Sequence, residues 1–377
     1  MAGGVTIRAV ESRSDVTAFL DLPYALYRDD PCWVPPLRMT ERQRWSPRHN
    51  ATPRSRWVQR FVARRDGRFV GRIAAIVDPA FAARWLPSSG FFGFFECVDD
   101  EEVSAALFAA AASALAERGV RVALGPVNLS TQDEVGLLVE GFDLPPTVLS
   151  PYNPPFYERH VERAGFVGLR DYHAYAWTAG QPRTARVDRI VAAAAGRAGS
   201  YAHLVLRHAD ARRWDDEVRT LHGLYNAAFD GVWGFVPISW EEFRQRAEEF
   251  KAFYRPELVI VAELGGETAG FGLLLPDINE ALRGLNGRLL PFGWLRLLRR
   301  VPRIASGRLI LLGVLPKFTG HGLGALIADR MTEPVRRFGL QRVELSLVLE
   351  DNRPMRHVIE AFGCPRVKVF RLYERSL

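Results

Sequence analysis

Residues 309–331 read LILLGVLPKFTGHGLGALIADRM. An apolar run predicts a strand that stops before Pro316. The loop Thr319-Gly320-His321-Gly322-Leu323-Gly324 follows, and a helical pattern continues from about Gly324 to Phe338. Gly320, Gly322 and Gly324 let the backbone take positive φ and bring a ligand close to the main chain. Successive N–H groups in such a loop and at a helix start form a nest for an anion. The helix dipole adds about 0.3–1 kcal/mol at an exposed site. The stretch therefore predicts a pyrophosphate-binding turn between a strand and a helix. It is not a Walker loop, because no Lys-Ser/Thr follows the glycines, and no acidic residue stands where a dinucleotide fingerprint requires one.

Working outward, the same order of elements occurs twice. Residues 5–10 alternate like a strand and a helical pattern runs from Asp15 to about Tyr27; 201–207 and 215–229 repeat this. Next, FVARRDGRFVGRIAAIV (61–77) and LVIVAELGGETAGFGLLL (258–275) each place a short glycine turn between apolar runs, which predicts hairpins. Then come a strand and a long helix: 90–98 and 101–118 in the first half, 307–314 and 324–338 in the second. A short apolar strand closes each helix, at 120–127 and 340–348. Last, NPPFYERHVERAGF (153–166) and NRPMRHVIEAFG (352–363) each give an Asn loop, a helix and a glycine. Self-similarity of this kind predicts a tandem repeat of two mixed α/β (α+β) units, each a largely antiparallel sheet flanked by helices. The expected boundaries are 1–180, a linker at 181–200 rich in Ala, Arg and Gly, and 201–377.

Composition agrees. A chain of 377 residues exceeds what one core usually holds, and 48% apolar with 25% charged residues excludes disorder. The net charge of +7 favours an anionic partner. Cys32, Cys97 and Cys364 lie far apart with no CxxC or Cys/His cluster, so neither a disulfide framework nor a metal site is expected. The N-terminal MAGGVTIRAVESRSD has no signal-peptide apolar region, and no charge-free apolar run is long enough to span a bilayer. A cytoplasmic protein is the expectation.

The strand, glycine loop, helix, strand and then Asn352 with a helix ending Phe362-Gly363 resemble the acyl-CoA-binding core of the GNAT superfamily of N-acetyltransferases. The resemblance implies that Leu312 and Val314 offer backbone to pantetheine. It implies that Gly320, His321, Gly322, Leu323, Gly324 and Ala325 hold the pyrophosphate, and that Asn352 lies near the thioester or the pantetheine end. Two positions depart from the family pattern. Thr319 stands where Arg or Gln is usual, and Ile359 stands where a Tyr often supplies the acid for the leaving thiolate. In the first half Cys97-Val98-Asp99-Asp100-Glu101-Glu102 replaces the glycine loop, and four acids repel a pyrophosphate. That half is expected not to bind CoA. The phrases 21–37, 90–97, 125–146, 152–158, 233–237 and 276–279 further resemble one bacterial tandem-acetyltransferase family with ceramide-synthase-like members.

N-acylation by direct attack needs a proton acceptor for the amine and donors for the oxyanion. The strand before the glycine loop, 309–314, carries no acid. Candidates from elsewhere are Asp133 and Glu134, or Asp277 and Asn279 in PDIN; the first pair also reads as a polar turn and Asp277 as a helix cap. Trp233, Phe235 and Trp240 read either as an acyl channel or as core. Residues 281–303 (ALRGLNGRLLPFGWLRLLRRVPR) hold six arginines and no acid among Leu, Phe and Trp. That composition suits peripheral contact with an anionic membrane or an amphipathic helix packed on the fold. The expected function is N-acyl transfer from acyl-CoA, long-chain, to a primary amine such as a sphingoid base; no nucleic acid partner is expected. An aminoacyl-tRNA-dependent transferase and a non-catalytic acyl-CoA sensor are the alternatives.

Overall fold

In the computed structural model, residues 4–46, 48–199 and 203–377 are described. The first half opens with β1 (Thr6–Ala9) and α1 (Arg13–Leu26). Ser12 and Asp15 start α1 with reciprocal capping bonds. After α2 (Arg38–Arg44), β2 (Trp57–Arg65) and β3 (Arg68–Val77) form a hairpin. Asp66 and Gly67 sit at φ +48° and +77°, the geometry that matches strand twist in a two-residue turn. There follow α3 (Pro79–Arg84), β4 (Ser89–Cys97), α4 (Glu101–Ala116) and β5 (Val122–Gly125). A small ribbon of β6 (Val127–Asn128) and β7 (Glu134–Val135) precedes β8 (Leu137–Glu140), α5 (Phe156–Arg163) and β9 (Val167–Thr178).

The second half holds α6 (Ala185–Gly199), β10 (Leu204–His208), α7 (Trp214–Phe229), α8 (Trp240–Phe250), β11 (Val259–Leu264) and β12 (Glu267–Pro276). Residues 201–202 of the expected strand lie outside the described residues. Gly265 and Gly266, at φ +62° and +84°, turn the second hairpin. The chain continues through α9 (Ile278–Leu282), α10 (Gly293–Arg300), β13 (Ser306–Val314), α11 (Leu323–Arg337), β14 (Arg342–Leu349), α12 (Arg353–Ala361) and β15 (Arg366–Ser376). The segment read as a linker thus contains helix α6; its Ala-rich stretch favours helix, and Val191 and Ala194 give it an apolar side to bury.

The halves fold with the same strand order but trade one strand. The first unit comprises Met1–Tyr172, Leu282–Trp294 and Lys368–Leu377; the second comprises His173–Ala281 and Leu295–Val367. The first unit's sheet runs β1-β2-β3-β4-β5-β15. In it β15 pairs β5 and β8, with Tyr373 opposite Gly125 and Phe370 opposite Leu138. The second unit's sheet runs β9-β14-β13-β12-β11-β10. The units therefore do not follow the sequence boundaries of 1–180 and 201–377, because repeat periodicity records the order of strands and not which sheet takes the last one.

Each sheet is covered on both faces. In the first unit a side chain at Gly71 would meet Leu107 and Val103 of α4, while neighbouring Arg72 donates to the Phe19 carbonyl of α1. Successive strand residues point to opposite faces, so α4 and α1 lie on opposite sides. In the second unit Gly270 and Gly272 face Ile327 and Met331 of α11, and Phe271 between them packs with Leu221, Leu224 and Tyr225 of α7.

Candidate functional site

The site grows from a break in the ladder between β13 and β14. These strands pair in parallel from Ser306↔Arg342 to Leu309↔Leu345, and there the pairing ends. Both continue, to Val314 and Leu349. On its other edge β13 pairs β12 with an extra residue between Leu309 and Leu311, a bulge at Ile310. The strands thus part at Leu309 and Leu345. The gap opens into an apolar cleft of about 970 Å³, counting its mouth. Leu312, Met331, Val335, Leu347, Met355 and Ile359 line it, and Trp177, Thr332, Ser346, Asn352 and Cys364 are among the lining residues that carry polar groups.

The glycine loop lies between β13 and α11. A short 3₁₀ turn, Pro316–Phe318, leads into it. Gly320 and Gly322 take φ +87° and +79°, and Gly322 is the cap residue before α11. No side chain caps this helix start. A Cβ at Gly320 would meet nothing within 4 Å, so that face of the loop is open. A Cβ at Gly322 would lie 2.5 Å from the Ala194 Cβ of α6, so α6 covers the other face. His321 hydrogen-bonds the Phe318 carbonyl through Nδ1 at 3.0 Å, which ties its ring to the loop. Leu323 and Ala325 are buried, so only their backbone can face a ligand. The Ala325 N–H already donates to the Gly322 carbonyl at 3.0 Å. Val314 packs with Leu323, Leu326 and Ala194 beneath the loop. Asn352 lines the cleft and caps α12, its Oδ1 accepting from Met355 N at 3.2 Å. Ile359 is buried in the cleft wall.

The equivalent helix start in the first unit is filled. The Asp100 carboxylate accepts from Val103 N at 3.1 Å and caps α4. Arg65 bridges Asp100 and Glu102, Arg159 pairs Asp99, and Arg163 pairs Glu101. At this helix start the Val103 N–H is thus spent on the chain's own Asp100 carboxylate, and the acids around it are paired with arginines.

The four catalytic candidates fall in two places. Asp277 is buried at the end of β12; its carboxylate accepts from Asn279 N at 3.2 Å and from the Ser306 hydroxyl at 3.4 Å. It does the work of a cap at the start of α9, with Asn279 in the first turn. Asp133 and Glu134 belong to the first unit. Asp133 accepts from Ser130 Oγ at 2.8 Å. Glu134 accepts from Asn128 Nδ2 at 2.7 Å and pairs with Arg44 at 3.1 Å. Burial pushes the Glu134 carboxyl up, but Arg44 and Asn128 outweigh it and hold the group below the usual carboxylate range. A carboxylate held this way is a weak proton acceptor. Trp233, Phe235 and Trp240 do not line the cleft; Phe235 packs under α7, and Phe229 is the aromatic of that region that does line it.

Two buried polar clusters escaped sequence reading. In the first unit Glu96 accepts from Tyr27 and Tyr157 hydroxyls at 2.6 and 2.8 Å, with Arg72 at 3.6 Å. Burial raises its carboxyl above the usual range despite these partners. In the second unit Arg308 of β13 and Glu344 and Ser346 of β14 are 4%, 2% and 5% exposed. Arg308 Nε donates to Ser346 Oγ at 3.0 Å, and Ser346 Oγ donates to Glu344 Oε1 at 2.8 Å. The signal was present: each carboxylate is a lone acid within an apolar strand, in GFFGFFEC and in RVELSL. Such an acid must be partnered inside.

Comparisons with known proteins agree with this geometry. The family model described as "Acetyltransferase (GNAT) family" matches residues 218–364. The chain is 37% identical to the bacterial ceramide synthase of Caulobacter vibrioides, over 99% of this chain and 98% of that one. It is 32% identical to protein YghO of Escherichia coli, over 98% and 95%. Among solved structures, a tandem GNAT protein from the clavulanic acid biosynthesis pathway superposes with a TM-score of 0.55 at 14% identity, covering 99% of this chain and 98% of that one. A GCN5-related N-acetyltransferase from Sphaerobacter thermophilus gives 0.53 at 13%, covering 99% and 95%.

Proposed function

The chain belongs to the acetyltransferase (GNAT) family in its tandem form and is an N-acyltransferase; on that premise we propose that it moves a long-chain acyl group from acyl-CoA to the primary amine of a lipid, such as a sphingoid base. The observation that carries this reading is the apolar cleft at the parting of β13 and β14, beside the open face of the glycine loop. The diphosphate of CoA fits the loop amides around Gly320, Gly322 and Gly324. Pantetheine runs along Leu312 and Val314 toward Asn352, and the acyl chain fills the cleft past Ile359. A tyrosine at that position would place a hydroxyl in the cleft; Ile359 keeps the wall apolar, which suits hydrocarbon. The named relative that makes ceramide is the second support, since it matches along the full chain.

Attack is direct, through a ternary complex. Cys364 lines the cleft, but burial pushes its thiol up to about 12, so no thiolate forms near neutral pH and an acyl-cysteine intermediate is disfavoured. For a cytoplasmic enzyme a lipid acceptor requires access to a membrane, and residues 281–303 suit that role. Leu290, Phe292, Trp294 and Leu298 are 80%, 69%, 47% and 61% exposed amid arginines. No helix among the described residues is long and apolar enough to cross a membrane, so contact through this segment is interfacial.

Calorimetric titration with palmitoyl-CoA, acetyl-CoA and CoA tests the donor. Tight palmitoyl-CoA binding with weaker acetyl-CoA binding is expected, followed by turnover with sphinganine. Equal affinity for all three would reduce the reading to a short acyl group. No binding of any would overturn it and bring an aminoacyl-tRNA donor forward.

A further inference from the structure

The strand before the glycine loop supplies no acid between Leu309 and Val314, so the proton leaving the amine needs another path. We propose that Ser346, held between Arg308 and Glu344 where β13 and β14 part, is that path: its hydroxyl takes the amine proton as it passes its own to Glu344. The proposal rests on the acyl-CoA reading of the cleft and deepens it.

Three observations on the structure lead there. First, position: Arg308 and Glu344 are paired in register, the ladder ends one step later, and Ser346 is the first residue beyond it. Ser346 lines the cleft that also holds Asn352 and Ile359. Second, sidedness: a side chain at Gly307 would meet Leu340, which follows α11, so neighbouring Arg308 points to the other face of the sheet. The trio therefore lies on the α7 side of the sheet, the side from which Phe229 of α7 lines the cleft, whereas Met331 and Val335 line it from the α11 side. Third, polarity: a serine hydroxyl has one proton and two acceptor positions. The proton goes to Glu344 at 2.8 Å, and one acceptor position takes the Arg308 Nε–H at 3.0 Å. What is left on Oγ is a lone pair. A group that offers only a lone pair recognises an N–H donor, which an amine acceptor has and a thioester lacks.

The amine nitrogen forms the C–N bond to the thioester carbonyl. The tetrahedral oxyanion collapses, the C–S bond breaks, and CoA leaves as a thiolate that is protonated from solvent. The proton lost by nitrogen reaches Ser346 Oγ while the Ser346 proton moves to Glu344, which later returns it to solvent. Arg308 keeps the hydroxyl oriented throughout.

The test uses the full chain with palmitoyl-CoA and the primary amine on which the wild type releases CoA fastest. Ser346→Ala should lower kcat by about 10²–10⁴-fold while palmitoyl-CoA affinity stays unchanged. Ser346→Thr, which keeps a hydroxyl, should retain most turnover. Glu344→Gln should abolish the acid limb of the kcat–pH profile. Should Glu344→Gln fail to fold, the serine pair decides, because it leaves Arg308 and Glu344 in place. Wild-type turnover that survives Ser346→Ala with an unchanged pH profile would overturn the relay and leave the acyl-CoA reading standing. A wild type that neither binds palmitoyl-CoA nor turns over would overturn both.

Discussion

A side chain at position 322 has nowhere to go. Gly322 sits at φ +79°, and any Cβ there would overlap Ala194 of α6 at 2.5 Å. Gly322→Ala is therefore expected to lower stability by about 1–3 kcal/mol through overpacking, whatever it does to ligand binding. Gly324 is different: a Cβ there meets only Val314 Cγ2 at 4.0 Å, and the residue is helical. Gly324→Glu should leave the melting temperature nearly unchanged and abolish CoA binding, because a carboxylate then occupies the anion nest. Retained CoA binding in that variant, measured by calorimetry, would remove the loop assignment. Two carboxylates give opposite pH signatures. Glu134 is held below its ordinary range, so its contribution is present at neutral pH and lost as pH falls through its lowered folded value. Glu96 is held above, so the folded protein keeps a proton that the unfolded chain has released. Its contribution is full below the ordinary Glu range and is lost as pH rises through its raised folded value. In melting temperature against pH, Glu134→Gln should flatten the acid side and Glu96→Gln the fall above the ordinary Glu range. Curves that superimpose on the wild type would refute both assignments.

Helix α10 has no buried residue, although its neighbourhood is rich in Leu, Phe and Trp. A short helix gains little from its own hydrogen bonds and normally depends on packing an apolar face. Here Phe292, Trp294 and Leu298 are left to solvent, and Arg288, Arg296, Arg299, Arg300 and Arg303 stand near them in sequence. Arginines near an anionic surface contribute about 1 kcal/mol each, and the apolar residues add burial in the interface. The protein is expected to co-sediment with phosphatidylglycerol vesicles and weakly with phosphatidylcholine vesicles. Phe292→Asp with Leu298→Asp should abolish this and leave the melting temperature intact. Equal sedimentation of that variant would assign vesicle binding elsewhere. By contrast α6, read from composition as a linker, is fixed by packing against α11: Ala194 is wholly buried with Leu323 and Leu326. Its alanines are what allow so close an approach to a glycine loop.

Across the molecule the repeat closes by exchange. The last ten residues, Lys368–Leu377, belong to the first unit, where Phe370, Leu372 and Tyr373 are fully buried. Each such side chain contributes about 1.5–3 kcal/mol by burial alone. Ending the chain at Val367 should therefore unfold the first unit, although every residue removed comes from the opposite end of the sequence. Loss of the first unit's protection in hydrogen exchange would show it. Undiminished protection of β3 and β4 would contradict the exchange. It also follows that residues 201–377 alone lack β9 and should not form the complete second sheet.

Read alone, the sequence determined the two-fold repeat, the hairpins, and the glycine loop with its helix. These depend on local rules: alternation, turn geometry and the need for φ > 0 at particular glycines. The family resemblance followed from the same stretch. Only the tertiary structure decided which sheet receives each closing strand, since β9 and β15 carry strand signals that either sheet can satisfy. Only it showed that α6 packs on the loop, that Asp277 caps α9, and that Glu134 is neutralised by Arg44. The same holds for Ser346. A serine in a strand is unremarkable in sequence, and its polarity is set by Arg308, 38 residues away, and by where two strands stop pairing.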